Sequence, residues 1–229
     1  MRSITKHSIL KAVIFDMDGL VLDTEATYCN AWKKTATLMG HEFSDEFCLS
    51  LSGLHYQDVE HRLIDLCGVD FNLKYFFELS GKCWREQVNE QGIAVKKGFL
   101  NLLAVLEEKS IPFVLATNSG EANALECLEL ANLQTVFKII VTRDHVQQGK
   151  PAPDIFLLAA QMLKLSISKC LILEDSATGI ESASKTGAKI GYIPSVYPAD
   201  LKAIDRADYF FNDLDEVIQI IHQLFSHPV

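Results

Sequence analysis

Several signatures are absent from this sequence. Its six cysteines, Cys29, Cys48, Cys67, Cys83, Cys127 and Cys170, include no CxxC pair and stand far apart. They outline neither a disulfide scaffold nor a zinc ribbon, and read as free thiols of a reducing compartment. The seven histidines include no HExxH and no closely spaced pair, so a zinc-hydrolase pattern has no support. There is no GxxxxGK[ST] and no GxGxxG, which leaves kinase-type and dinucleotide-binding readings without a phosphate loop. No apolar run approaches the roughly 20 residues of a membrane span. Met1 to Leu10 carries charges and no apolar h-region, so no signal peptide is expected and the expected location is the cytoplasm. Positive charge is also scarce. Lys and Arg number 21 against 30 Asp and Glu, a formal charge of -9. Nucleic acid and anionic membrane both need clustered cations, so neither is an expected partner. A phosphorylated substrate remains open, because a metal ion and one or two local cations can offset the charge.

What is present is an ordinary globular composition: 229 residues, 48% hydrophobic and 22% charged, long enough to bury a substantial core. Lys11 to Phe15 is a short apolar run ending at Asp16 and reads as a buried strand. Similar runs occur at Ile111–Ala116, Phe137–Val141, Cys170–Leu173 and Lys189–Ile193, with Tyr209–Phe211 as an edge strand. Between them lie amphipathic patterns. Phe99, Leu102, Leu103 and Leu106 share one helical face, as do Leu214, Val217, Ile218 and Ile221. Pro153 suits the first position of a helix reaching about Leu165. The alternation predicts a parallel sheet with helices on both faces. From Thr24 to Gln91 it breaks: helical patterns continue without a buried strand, and Asp23 fits the N-cap of the first helix. The expected division is residues 1–23 and 93–229 as one α/β unit, with 24–92 as a helical insert.

In an open parallel sheet, ligands bind beyond the carboxyl ends of the strands. Asp16-Met17-Asp18-Gly19 follows the first strand, Thr117-Asn118-Ser119-Gly120 the second, and Glu174-Asp175-Ser176 the fourth; Lys150 follows the third. Clustered carboxylates repel unless a cation sits among them, and hard oxygen donors select magnesium. The metal also offsets phosphate charge, so Asp16 can attack phosphorus as a nucleophile. Asp18 is suited to general acid and base work. Thr117 and Asn118 can donate to phosphoryl oxygens, and Lys150 supplies positive charge where the transition state gathers negative charge. Each element has a plainer reading. An Asp at a strand end is often a turn former, a Lys-Pro loop is usually solvated, and Ser119 can be a helix cap. The weight lies in four strand ends, in order, carrying the groups one reaction needs.

The stretch Phe15-Asp-Met-Asp-Gly-Leu-Val-Leu-Asp-Thr-Glu25 resembles the first motif of haloacid dehalogenase-like hydrolases, in the branch related to β-phosphoglucomutase and sugar-phosphate phosphatases. Leu115-Ala-Thr-Asn-Ser119, Gly149-Lys-Pro-Ala-Pro-Asp-Ile-Phe156 and Leu173-Glu-Asp-Ser-Ala-Thr-Gly-Ile180 resemble the second, third and fourth. The resemblance implies a Rossmann-like core with a helical cap inserted after the first strand. It implies Asp16 as nucleophile and metal ligand, and Asp18 as acid/base with its carbonyl on magnesium. Asp175 is implied as a metal ligand, with Glu174 bound directly or through water, while Thr117, Asn118 and Lys150 hold the phosphate. By the same resemblance, the mutase carries a histidine where this chain has Tyr28, and cations where it has Ser52 and Tyr56. Dehalogenases lack an acid at the place of Asp18. Tyr28, His55 and Tyr56 are the cap residues expected at the substrate, and Trp32 is expected to pack within the cap.

The expectation is therefore a magnesium-dependent phosphatase acting on a small phosphate monoester, sugar phosphate or nucleotide-like, through an aspartyl-phosphate, as a monomer or weak homo-oligomer. A hexose-phosphate mutase is the alternative. A non-enzymatic, phospho-accepting module is a third reading, against which stands an insert of about 70 residues that such a module has no use for.

Overall fold

A computed structural model describes residues 10–51 and 56–225, without the side chains of residues 56 and 57. The elements are β1 (Ala12–Phe15), α1 (Thr24–Leu38), α2 (Asp45–Leu51), α3 (Tyr56–Cys67), α4 (Leu73–Gln91), α5 (Phe99–Glu108), β2 (Phe113–Ala116), α6 (Glu121–Leu130), β3 (Ile140–Val141), α7 (Asp154–Met162), β4 (Cys170–Glu174), α8 (Ala177–Ser184), β5 (Lys189–Tyr192), α9 (Leu201–Arg206), β6 (Tyr209–Phe210) and α10 (Leu214–Leu224). The chain divides into two compact units, one of residues 1–22 with 95–229 and one of residues 23–94.

The first unit is a six-stranded, all-parallel sheet in the order β3-β2-β1-β4-β5-β6. Successive side chains of a strand point to opposite faces, and both faces here are apolar. Ala12, Ile14, Val114, Ala116, Ile172 and Ile190 join Ile155, Phe156 and Ala159 of α7 and Ile180 and Ala183 of α8 in one cluster. From the odd positions, Phe15 meets Phe99 of α5 edge-on at 5.6 Å and Phe137 at 6.2 Å. Burial on both faces explains why the strands read as continuous apolar runs rather than alternating ones. Each buried Ile or Phe contributes about 1.5–3 kcal/mol, an upper estimate against a fully exposed reference.

Strand order reverses between β1 and β4, its sequence-distant neighbour. The crevice at the carboxyl ends beside this point is where open α/β sheets accept ligands. Asp16 leaves β1 there, its N–H donating to Leu173 O of β4 at 3.0 Å.

The second unit contains α1 to α4. Phe43, Cys48, Leu51, Leu63, Phe71 and Phe76 form its core, with Trp32 packed against it. Asp23 stands at the N-cap of α1 without a capping side-chain hydrogen bond, whereas Asn72 caps α4 by accepting from Tyr75 N at 3.0 Å. Pro153 takes the N-cap of α7, one position earlier than the pattern predicts. All six cysteines are free thiols. No described helix is long and apolar enough to cross a membrane.

Candidate active site

The sheet brings four of the residues singled out above into one buried cluster. Asp16, Glu174 and Asp175 each offer a carboxylate oxygen, and these oxygens lie within 4.8 Å of one another. Lys150 reaches in from the loop after β3. Its Nζ bonds Asp16 Oδ1 directly and Glu174 Oε1 at 2.6 Å, and stands 4.7 Å above the ring of Phe156.

Burial and charge compete here. Burial pushes the Asp16 carboxyl well above its ordinary range, against the pull of Lys150; Glu174 and Asp18 push it further. Burial disfavours the Lys150 ammonium, yet Asp16 and Glu174 outweigh it and raise its pKa. Among the described residues, Asp16 and Glu174 share the single ammonium of Lys150. Hard, closely set, buried oxygen donors suit a small divalent cation.

Glu174 is held tightly. Besides Lys150 on Oε1, its Oε2 accepts from Asp175 N at 2.9 Å, Ser176 N at 3.1 Å and Ser176 Oγ at 3.1 Å. Any direct bond from Glu174 to a metal, as the motif resemblance implies, competes with these four donors. Gly19, at φ +84°, lets the turn after Asp18 pass close to Asp175; a Cβ there would lie 2.1 Å from Asp175 Oδ2. A non-glycine residue is strained at such a φ even before that collision.

The loop after β2 is tied to the cluster by hydrogen bonds that the sequence does not announce. Asn118, expected to donate to phosphate, uses its carboxamide on the backbone of Lys150: Oδ1 accepts from Lys150 N at 2.8 Å and Nδ2 donates to Lys150 O at 3.2 Å. Thr117 Oγ1 accepts from Ser119 N at 3.0 Å and donates to Asp18 Oδ2 at 3.3 Å. Ser119, read above as a helix cap, is not one. Gly120 takes the N-cap of α6, Asp144 Oδ2 accepts from Glu121 N at 2.7 Å, and Ser119 Oγ donates to Asp18 Oδ2 at 2.7 Å. Ser119, Ser176 and Gly179 all stand inside the motifs quoted above. Ser176 and Gly179 meet Glu174 and each other within five residues, but the partner of Ser119 is 101 residues away and nothing local in the sequence names it.

Tyr28 stacks on Trp84 within the helical unit, with ring centroids 5.5 Å apart and planes 12° from parallel. Trp84 Nε1 donates to Thr27 Oγ1 at 2.9 Å, which donates to Thr24 O at 2.6 Å. Trp32 also faces Tyr28, at 6.4 Å. Ser52 and His55 lie outside the described residues, and Tyr56 is described only as the first residue of α3.

Comparison with known proteins agrees with this architecture. A phosphorylated carbohydrates phosphatase of Thermotoga maritima is 29% identical over 78% of this chain and 82% of its own. The β-phosphoglucomutase of Bacillus subtilis is 29% identical over 90% of this chain and 95% of its own. The solved structure of a HAD hydrolase, family IA, variant 3, from Entamoeba histolytica superposes with a TM-score of 0.76 at 30% identity, covering 95% of this chain and all of that one. The family model described as haloacid dehalogenase-like hydrolase matches residues 13–193, a span that runs from β1 past β5 and includes every strand-end group described above. The chain belongs to the haloacid dehalogenase-like hydrolase family.

Proposed function

We propose that the protein is a magnesium-dependent phosphatase of small phosphate monoesters, sugar phosphates foremost, working through a phosphorylated Asp16. The observation that carries this reading is the bridge from Lys150 to Asp16 and Glu174, with Asp175 alongside, at the sheet's reversal point. Asp16 and Asp175, with the Asp18 carbonyl, would hold a magnesium ion, which supplies positive charge to an otherwise anionic site. Asp16 attacks phosphorus and the ester P–O bond breaks. Its electron pair goes to the leaving oxygen, which takes a proton from Asp18. Water then attacks the aspartyl-phosphate, Asp18 takes its proton, and inorganic phosphate and the Asp16 carboxylate are released. Lys150 offsets charge on the phosphoryl oxygens throughout. The relatives' names favour carbohydrate phosphates, since one is a phosphorylated carbohydrates phosphatase and another a fructose-1-phosphate phosphatase.

The kinship with a β-phosphoglucomutase keeps a mutase as the second reading. Against it stand Tyr28, Ser52 and Tyr56, none of them cationic, where by the family resemblance a mutase carries a histidine that shuttles a proton with the acid/base and two cations that bind a second phosphate. A panel of phosphate monoesters, assayed for phosphate release with and without magnesium, tests the choice. Release should require magnesium and drop by at least about 10³-fold in Asp16→Asn, which removes the nucleophile. Isomerisation of a hexose phosphate faster than phosphate release would favour the mutase instead.

A further inference from the structure

We infer that Ser119 is a positioning residue that decides which oxygen of Asp18 faces the leaving group with its proton; the inference rests on the phosphatase reading above. Asp18 and Ser119 come from the loops after two adjacent strands, β1 and β2, paired in register at Phe15 and Leu115. The Ser119 hydroxyl donates to Asp18 Oδ2 at 2.7 Å and the Thr117 hydroxyl to the same oxygen at 3.3 Å. Thr117 Oγ1 already accepts from Ser119 N at 3.0 Å, so its single proton is the one aimed at Asp18. Two hydroxyl donors make Oδ2 an acceptor. A proton carried by this carboxyl group therefore sits on Oδ1. That oxygen is buried and has no hydrogen-bond partner among the described residues, an uncommon state for a buried polar atom. In the proposed reaction the leaving ester oxygen fills that role, receiving the proton as its bond to phosphorus breaks. Of the two donors, Ser119 is the closer and the better placed to fix the carboxyl plane.

This role has a signature that a merely structural serine lacks. Alkyl esters leave as poor alkoxides and need the proton, whereas p-nitrophenolate leaves without it. Comparing kcat/KM for glycerol 2-phosphate and p-nitrophenyl phosphate confines the reading to steps through phosphoryl transfer to Asp16. In Ser119→Ala the loss should be at least about tenfold greater for glycerol 2-phosphate, within the range general acid catalysis supplies. Inhibition by inorganic phosphate should change little, and Ser119→Thr should restore the wild-type ratio. Should Ser119→Ala fold poorly, Ser119→Cys, a weak donor, reads the same ratio. Equal losses on both esters, or weakened phosphate inhibition as the whole effect, would overturn the assignment. Wild-type protein that releases phosphate from neither ester nor from any sugar phosphate of the panel would instead sink the phosphatase reading itself.

Discussion

Gly179 shows how little room the site allows at the scale of single residues. A Cβ there would stand 1.8 Å from Glu174 Oε1 and 1.9 Å from its Cδ. Glu174 cannot yield without giving up Lys150 and the three donors on Oε2. Gly179→Ala should therefore cost about 1–3 kcal/mol as overpacking. It should also lower kcat by displacing Lys150 from Asp16, measured by denaturant unfolding beside phosphate release. Unchanged activity would mean that Glu174 has no part in holding Lys150. The same residue illustrates the limit of reading motifs: Gly179 lies in the fourth motif, but its purpose appears only once the carboxylate beneath it is located.

At the scale of elements, the site is made by loops tied to each other across the sheet edge. Asn118, after β2, bonds both the N–H and the C=O of Lys150, 32 residues away. Those two bonds fix the backbone from which the lysine reaches Asp16. In Asn118→Ala both backbone groups lose their partner, at about 1–3 kcal/mol for each group left unsatisfied. The expected result is a fall in kcat of about 10–10²-fold as Lys150 loses its alignment, with thermal stability lowered as well. A rise in KM alone, at unchanged kcat and stability, would return Asn118 to the phosphate-donor role read from the sequence.

For the whole molecule the governing quantity is charge in a buried site. Asp16 ionises less readily in the folded chain than in the unfolded one, chiefly through burial. The folded state therefore holds the proton longer, and stability falls as pH rises above the ordinary carboxylate value of 3.8. The loss ends once Asp16 is ionised in the fold. At neutral pH without metal, Asp16→Asn should thus melt higher than wild type, by about 2–4 °C per kcal/mol regained. Magnesium, binding the folded and ionised site, should raise the wild-type Tm by mass action and the variant's by less. Calorimetry of both proteins, with and without magnesium, measures this; a variant that melts lower without metal would contradict it.

The sequence by itself determined the sheet. Its central strands, β1 and β4, are short apolar runs buried on both faces, and every strand falls within a residue or three of the run that announces it. The helical break after Asp23 was equally legible, because periodicity is a local property of the chain. So was the set of polar groups at the strand ends, since the carboxyl edge of a parallel sheet faces one way. Which of those groups touch was decided by the tertiary structure. Ser119 could cap a helix or hold Asp18, and Asn118 could meet phosphate or the backbone of Lys150. Hydrogen bonds spanning 101 and 32 residues tie Ser119 to Asp18 and Asn118 to the backbone of Lys150, and partners brought together by folding leave no mark in local sequence.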